Sequence, residues 1–525
     1  LGEEFQVNTY TSGSQVYPAV TNLSDGGFVV TWTNHSSQDG SGYGVFGQMY
    51  DASGNTVGAE FQINTFTDNN QRHPSISGLS DGGFVATWHS RTQEGAGNNQ
   101  GIFGQRFDGS GNKVGSEFQV NTYEDSFQQY SSVTSLTGGG FVVTWSSDQE
   151  NGSSSGDYGI YGQRYDSSGN LSGSEFQVDS GNTNTTRDQY YPSITSLTDG
   201  GFVITWQSNL QDGSGYGNYG QRYDQYGNTV GSEFQINTYT SSDQNEPNVA
   251  SLSDGGFVVT WTSSGQDASA KGIYAQRYSV SGEKDGEEFR VNTYQNGDEK
   301  ISRVSSLTDG GFVVTWYSNT HTEDTFWGVH GQRFDSSGAT IGSQFLVNTT
   351  TNSYQQVPEI AALAVSGFIV TWQSYTQDGS EYGIYAQRFA SPTPSGTVTT
   401  TDHTVSTITG STTGEAPFGS DVSFGVGGKT LTVDLSAHHD GSNNYYGAAE
   451  AIATAINGDS DLQALGYSAA AATLTQVNAG TYAAGDIIIT RADTPTTTTN
   501  TLVGNAASFV VEGITVNTDL SAYNA

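Results

Sequence analysis

The sequence predicts a mainly β protein: a seven-bladed β-propeller of four-stranded antiparallel blades, closed into a ring by its own N-terminal strand and followed by a small α+β domain. Three observations carry this reading. A segment seen as GEEFQVNT at 2–9 and GAEFQINT at 58–65 recurs seven times at intervals of about 57 residues, the last copy ending at Thr349. Between the copies recur a DGGFVVTW segment, with Trp32, Trp88, Trp145, Trp206, Trp261, Trp316 and Trp372, and a GIYGQRYD segment centred on Gln48, Gln105, Gln163, Gln221, Gln276, Gln332 and Gln387. The array also begins with a lone fourth strand and ends with the first three strands of a unit, so pairing its two ends removes two bare sheet edges.

Each unit reads as strands a (YPAVTNL, 17–23), b (GFVVTW, 27–32), c (GVFGQMYD, 44–51) and d (EFQIN, 60–64). Asp-Gly-Gly between a and b, and a Gly-Asn turn between c and d, supply the positive-φ residues that antiparallel hairpins need. Strand b is apolar at nearly every position, which suits a sheet covered on both faces by neighbouring sheets.

Composition agrees with this. The 525 residues include 69 glycines, one methionine and no cysteine, so neither disulfides nor thiolate metal sites exist. Fifty-three acidic against 17 basic residues give a net charge of -36, which repels phosphate backbones and anionic lipid and argues against nucleic acid and membrane partners. The acidity fits a solvated surface suited to salty surroundings, or carboxylates that bind a divalent cation, of which Ca2+ is the expected one. No run of 18 apolar residues spans a membrane, and the sequence reads as a processed or excised piece of an extracellular or cell-surface protein.

The repeat pattern x-DGGFVVTW-x-S-x-x-QDGSG-x-GIYGQRYD resembles the repeats of large secreted bacterial adhesins of the RTX and cadherin-repeat kind, over about 390 residues. The calcium-binding nonapeptide GG-x-G-x-D of RTX rolls is missing, so calcium rolls are not expected. The propeller should occupy 1–390, a linker 391–402 and an α+β domain 403–500. In that domain VSFGVGGKTLTVDLSA reads as a strand pair, 447–457 as a helix and 485–493 as a strand, an order that resembles the IN motif of flagellar hook-associated proteins and flagellin inserts. Residues 508–522 repeat 423–437, so 501–525 read as the start of a second copy or as a strand linking neighbouring modules or molecules. Lys429 ends a phosphate-loop-like string but precedes a strand, and His438, His439 and Asp440 lack the spacing of a zinc site.

Function is expected on the face that carries the b-to-c and d-to-a loops, which vary, while the opposite turns are short and uniform. Those loops set an acid beside an aromatic: Asp39 with Tyr43, Asp157 with Tyr158, Asp212 with Tyr216, Asp378 with Tyr382, and Trp327 in the sixth copy. Aromatic faces cover the C–H patches of sugars and carboxylates take hydrogen bonds from vicinal hydroxyls; alternatively Asp-Gly-Ser-Gly only shapes a turn. Gln15, Gln71, Gln129, Gln189, Gln244, Glu299 and Gln355 should line the channel mouth, and the Arg of strand c should pair with the Glu of strand d. The sialidase Asp-box spacing fails and no catalytic signature stands out, so a non-enzymatic adhesin binding glycan or surface polymer is expected. The alternative is a structural subunit of a filament, sheath or surface layer.

Overall fold

In the computed structural model, residues 2–390 are described apart from 95–98, 149–157, 180–187, 267–270, 295–296, 320–325 and 364–366; beyond 390 seven strands between 421 and 519 are described. The chain divides into two compact units, Leu1–Thr393 and Pro394–Ala525. The first unit holds seven four-stranded antiparallel sheets. In blade 1 the strands are a (Gln15–Asn22), b (Phe28–Asn34), c (Gly44–Tyr50) and d (Thr56–Gln62). Strand d thus starts earlier than the repeat motif suggests, and its register with c breaks within the strand, between Gly47 and Met49. Each strand a packs beside the strand a of the next blade, and that of blade 7 (Gln355–Ala362) returns to blade 1, so the ring is closed.

The N-terminal strand closes it as expected: Phe5 and Gln6 pair with Ala386 and Tyr385 of strand c in blade 7. Among the described residues there is no single central core. Apolar side chains gather instead into seven clusters, each between two successive blades; the one joining blades 7 and 1 contains Val7, Trp32, Ile369 and Ile384. Successive residues of strand b serve the two flanking clusters, with Val29 facing blade 2 and Val30 facing blade 7, which is why strand b is apolar throughout.

Charged side chains tie blade to blade, but not as the sequence suggests. The Glu of strand d bonds the preceding blade: Glu60 accepts the Thr9 N–H at 2.7 Å, Glu288 that of Thr238 at 2.7 Å, and Glu4 that of Thr349 at 2.6 Å. The Arg of strand c reaches the other way. Arg106 pairs with Asp81 of its own a-to-b turn at 2.9 Å and donates to the Ser167 carbonyl of the next blade at 3.1 Å; Arg388 donates to Ala52 and Ser53, sealing blade 7 to blade 1. The expected Arg–Glu pair within one blade is therefore corrected: both side chains bridge blades.

A buried asparagine after strand d repeats likewise. Asn64, Asn121, Asn292 and Asn348 accept a strand-c N–H at 2.7–2.8 Å and donate to a carbonyl two residues on. Blade 3 has Asp179 there, accepting the Ile160 N–H at 3.0 Å, and burial pushes its carboxyl up to about 6.

In the second unit Asp421–Val426 pairs antiparallel with Lys429–Asp434, Tyr467–Ala471 with Ile487–Arg491, and Ala506–Val511 with Ile514–Asp519. The helix expected at 447–457 and the residues His438, His439 and Asp440 lie outside the described residues.

Two stability predictions follow from these contacts. Because the folded state holds the Asp179 proton up to about pH 6 and the unfolded chain releases it near its ordinary value of 3.8, the penalty is absent below that value, grows through the window and is full above it. Asp179→Asn should thus stabilise by about 2 kcal/mol at pH 7.5 and hardly at all near pH 4, measured by denaturant titration at both pH values. Deleting residues 1–9 strips Val7, 2% exposed, and the Glu4 ties from the blade 7–1 junction. A loss of about 3 kcal/mol or more and aggregation through the bared strand should appear in calorimetry and gel filtration; an unchanged melting temperature would show that the ring does not need this strand.

Candidate functional site

The inner strands carry the feature on which the site is built. In each strand a the pairing with b slips so that two residues oppose one, a β-bulge; in blade 1 Val16 faces Thr33 and Ala19 faces Thr31, leaving Tyr17 and Pro18 opposite Trp32. The same slip recurs opposite the tryptophan of every other blade. The first bulge residue is left-handed in all seven blades: Tyr17, His73, Tyr130, Tyr191, Glu246, Ile301 and Val357, with φ between 50° and 56°. Such φ values are strained for any side chain and most for the β-branched Ile301 and Val357. Neighbouring blades hold the geometry, since the His73 N–H donates to Thr33 Oγ1 at 3.0 Å and that of Glu246 to Gln207 Oε1 at 2.9 Å.

These residues line a cavity of about 550 Å³ together with Arg72, Arg303 and Glu359. A second cleft of about 490 Å³ adjoins it at the ends of the inner strands in blades 3 to 6. Gln129, Tyr130, Tyr191, Glu246 and Ile301 belong to both. The cleft adds Tyr158, Tyr190, Tyr216, Tyr317, Asn245, Lys271 and Lys300. Its rings form a connected run: Tyr158 and Tyr190 have centroids 4.6 Å apart, and Tyr191 and Tyr130 are 4.4 Å apart. On the far side Tyr17 and His73 lie 3.9 Å apart.

The electrostatics are uneven. Glu246 accepts no hydrogen bond from the described residues; burial raises its pKa, and Arg303, Lys271 and Lys300 draw it back down. Burial holds His73 down to about 3 and His89 well below its ordinary value, so both imidazoles are neutral near pH 7. Burial and neighbouring carboxylates push the Tyr158 hydroxyl up to about 12. Among the described residues no group of three His, Cys, Asp or Glu side chains could hold a metal ion.

The loop residues singled out by sequence are divided by the structure. Tyr158 and Tyr216 line the cleft. Trp327 lies beside it, with the Lys300 ammonium 4.6 Å from its ring centre and Tyr317 at 5.0 Å. Asp39, Asp212 and Asp378 each accept the N–H two residues on, from Ser41, Ser214 and Ser380, at 3.0–3.2 Å, so one oxygen of each shapes its own loop. Tyr43 stacks on His35 at 3.9 Å, and the Tyr382 hydroxyl reaches Gln356 at 3.2 Å; neither lines the cleft. Asp157 lies outside the described residues.

The expected polar channel mouth is corrected. Gln15, Gln71, Gln189, Gln244, Glu299 and Gln355 are buried, at 2% exposure or less; Gln71, for example, donates to the Asp68 carbonyl of its own loop at 2.8 Å and to Ser90 Oγ of strand b at 3.3 Å. In blade 3 Gln128 takes this place, which leaves Gln129 on the cavities. The cavity residues come from the next two positions of each blade: Tyr17, Arg72 and His73, Gln129 and Tyr130, Tyr190 and Tyr191, Asn245 and Glu246, Lys300 and Ile301, and Val357. Divergence beside a repeated Gln was the readable signal, together with the proline that follows in five blades and marks a bulge.

Because the left-handed backbone costs a β-branched residue about 1–2 kcal/mol and suits asparagine, Val357→Asn should raise stability by about 1 kcal/mol in thermal unfolding. A clear loss would show that the bulge imposes no such cost.

No family model matches the chain, and no curated protein matches it. Among solved structures it is similar to the polysaccharide lyase Uly1, with 11% identity and a TM-score of 0.45 over 73% of this chain and 90% of that one. It is similar also to the alpha-L-arabinofuranosidase Arb93a from Fusarium graminearum, with 10% identity and a TM-score of 0.44 over 74% and 98% of the two chains. A third is the β-propeller domain of the trilobed protease from Pyrococcus furiosus, with 11% identity and a TM-score of 0.43 over 73% and 96%. Likeness at this level is one of fold and assigns no activity. The expectation of a non-enzymatic chain is nonetheless withdrawn, two of these three being named as a polysaccharide lyase and an alpha-L-arabinofuranosidase.

Proposed function

We propose that the protein binds a glycan outside the cell, in the tyrosine-lined cleft of blades 3 to 6. One observation carries this reading: the sevenfold repeat diverges where strand a meets the cavities, and its Tyr130, Tyr190 and Tyr191 join Tyr158, Tyr216 and Tyr317 of strands c and b around the Glu246 carboxyl, which accepts no hydrogen bond among the described residues. Sugar rings need flat apolar faces for their C–H surfaces and fixed acceptors and donors for their hydroxyls, and tyrosines, Asn245, Gln207 and Glu246 supply both. The cleft volume lies in the range of small-molecule and oligosaccharide sites. Glu246 also favours a second reading, turnover of the bound glycan, because a carboxyl with a raised pKa and no hydrogen-bond donor among the described residues can exchange a proton with a ligand.

Screening the full chain on a glycan array and titrating the best ligand by calorimetry tests the proposal. Tyr190→Ala and Tyr216→Ala should each weaken binding about tenfold or more, a change of about 1.4 kcal/mol, with the melting temperature little altered. Unchanged affinity in both variants, or no glycan bound at all, overturns the site. Release of reducing ends from the same ligand, lost in Glu246→Gln, separates turnover from binding.

A further inference from the structure

The axial cavity contains a cation with no salt-bridge partner among the described residues. Arg72 precedes the bulge of blade 2 and lines the cavity, yet its one hydrogen bond among the described residues runs from Nε to Nε2 of His89, at 2.8 Å. Its two terminal nitrogens have no protein acceptor there. Other arginines are placed differently: Arg303, across the same cavity, pairs with Glu359 at 2.5 Å, and the strand-c arginines reach carboxylates or carbonyls of the turns. The scaffold does not require an arginine here, for the sister positions hold Val16, Gln129, Tyr190, Asn245, Lys300 and Gln356. His89 is 2% exposed and neutral, so it fixes the guanidinium without adding charge.

We propose that Arg72 receives the carboxylate of an acidic sugar residue, which makes the axial cavity a subsite for an anionic glycan whose chain continues into the cleft. This rests on the glycan reading above. The cavity and cleft share Tyr130 and Tyr191, so a chain lying on those rings can extend from one to the other. A planar guanidinium with free terminal N–H groups matches a carboxylate through two parallel hydrogen bonds, and the paired rings of Tyr17 and His73 lie beside it for the sugar's apolar face. The net charge of -36 does not forbid an anion, because surface charges are screened beyond about 8 Å at physiological salt. Within the cavity Glu359 is neutralised by Arg303, and Glu246 lies on blade 5, nearer to Arg303, Lys271 and Lys300.

The test titrates the full chain with oligogalacturonate and with its methyl ester, which keeps the ring and removes the charge, in about 0.15 M salt. The acid should bind about tenfold or more tighter than the ester. Arg72→Gln, whose amide can still donate to His89, should abolish that preference while keeping the ester's affinity, and Arg72→Lys should retain part of it. Equal binding of acid and ester, or a preference that survives Arg72→Gln in a protein of unchanged melting temperature, overturns the acidic subsite and leaves glycan binding standing. If neither form binds while a neutral oligosaccharide does, the subsite alone falls; if no oligosaccharide binds, both readings fall.

Discussion

The contact on which the rest of this propeller depends is the buried tryptophan of strand b set against a bulge in strand a. Each of the seven tryptophans is fully buried. Such a side chain removes roughly 150–250 Å² from water, worth several kcal/mol, which exceeds the 1–2 kcal/mol of a left-handed bulge residue. The strain is therefore carried by the scaffold and repeated seven times. Its product is a ring of side chains aimed at the axis, whose identity the scaffold leaves open.

That separation explains what could be read from the sequence and what could not. Blade number, strand order and closure by residues 4–8 were legible because they rest on residues repeated in every unit. The channel residues were not, because the conspicuous acid-aromatic pattern lies in the loops, where Asp39, Asp212 and Asp378 serve the turn itself. The repeated glutamines are uniform because they are interior, and not because they line the channel. Bulges escaped because an inserted residue shifts the facing of everything before it, and alternation read along one strand does not register the slip.

Charge follows the same division. The Glu of strand d and the Arg of strand c lie on the outer part of the ring and tie adjoining blades through backbone groups, so they recur with little change. Single charged residues inside the protein have different meanings. Asp179 replaces an amide in a structural position and is a liability near neutral pH, whereas Glu246 and Arg72 stand where no amide or ion pair was needed and face open space.

Closure by the first strand has a consequence for how the chain reaches its fold. Phe5 pairs with Ala386, a contact spanning about 380 residues, and bringing such distant segments together costs about 5 kcal/mol in loop entropy for a flexible chain. During synthesis Phe5 and Gln6 cannot find their partners until the seventh unit has emerged. Until then the growing stack has two ends, and blades can be added in order, each templated by the one before. The last pairing converts that row into a ring in which every blade has two neighbours, so local opening anywhere must break two interfaces instead of one.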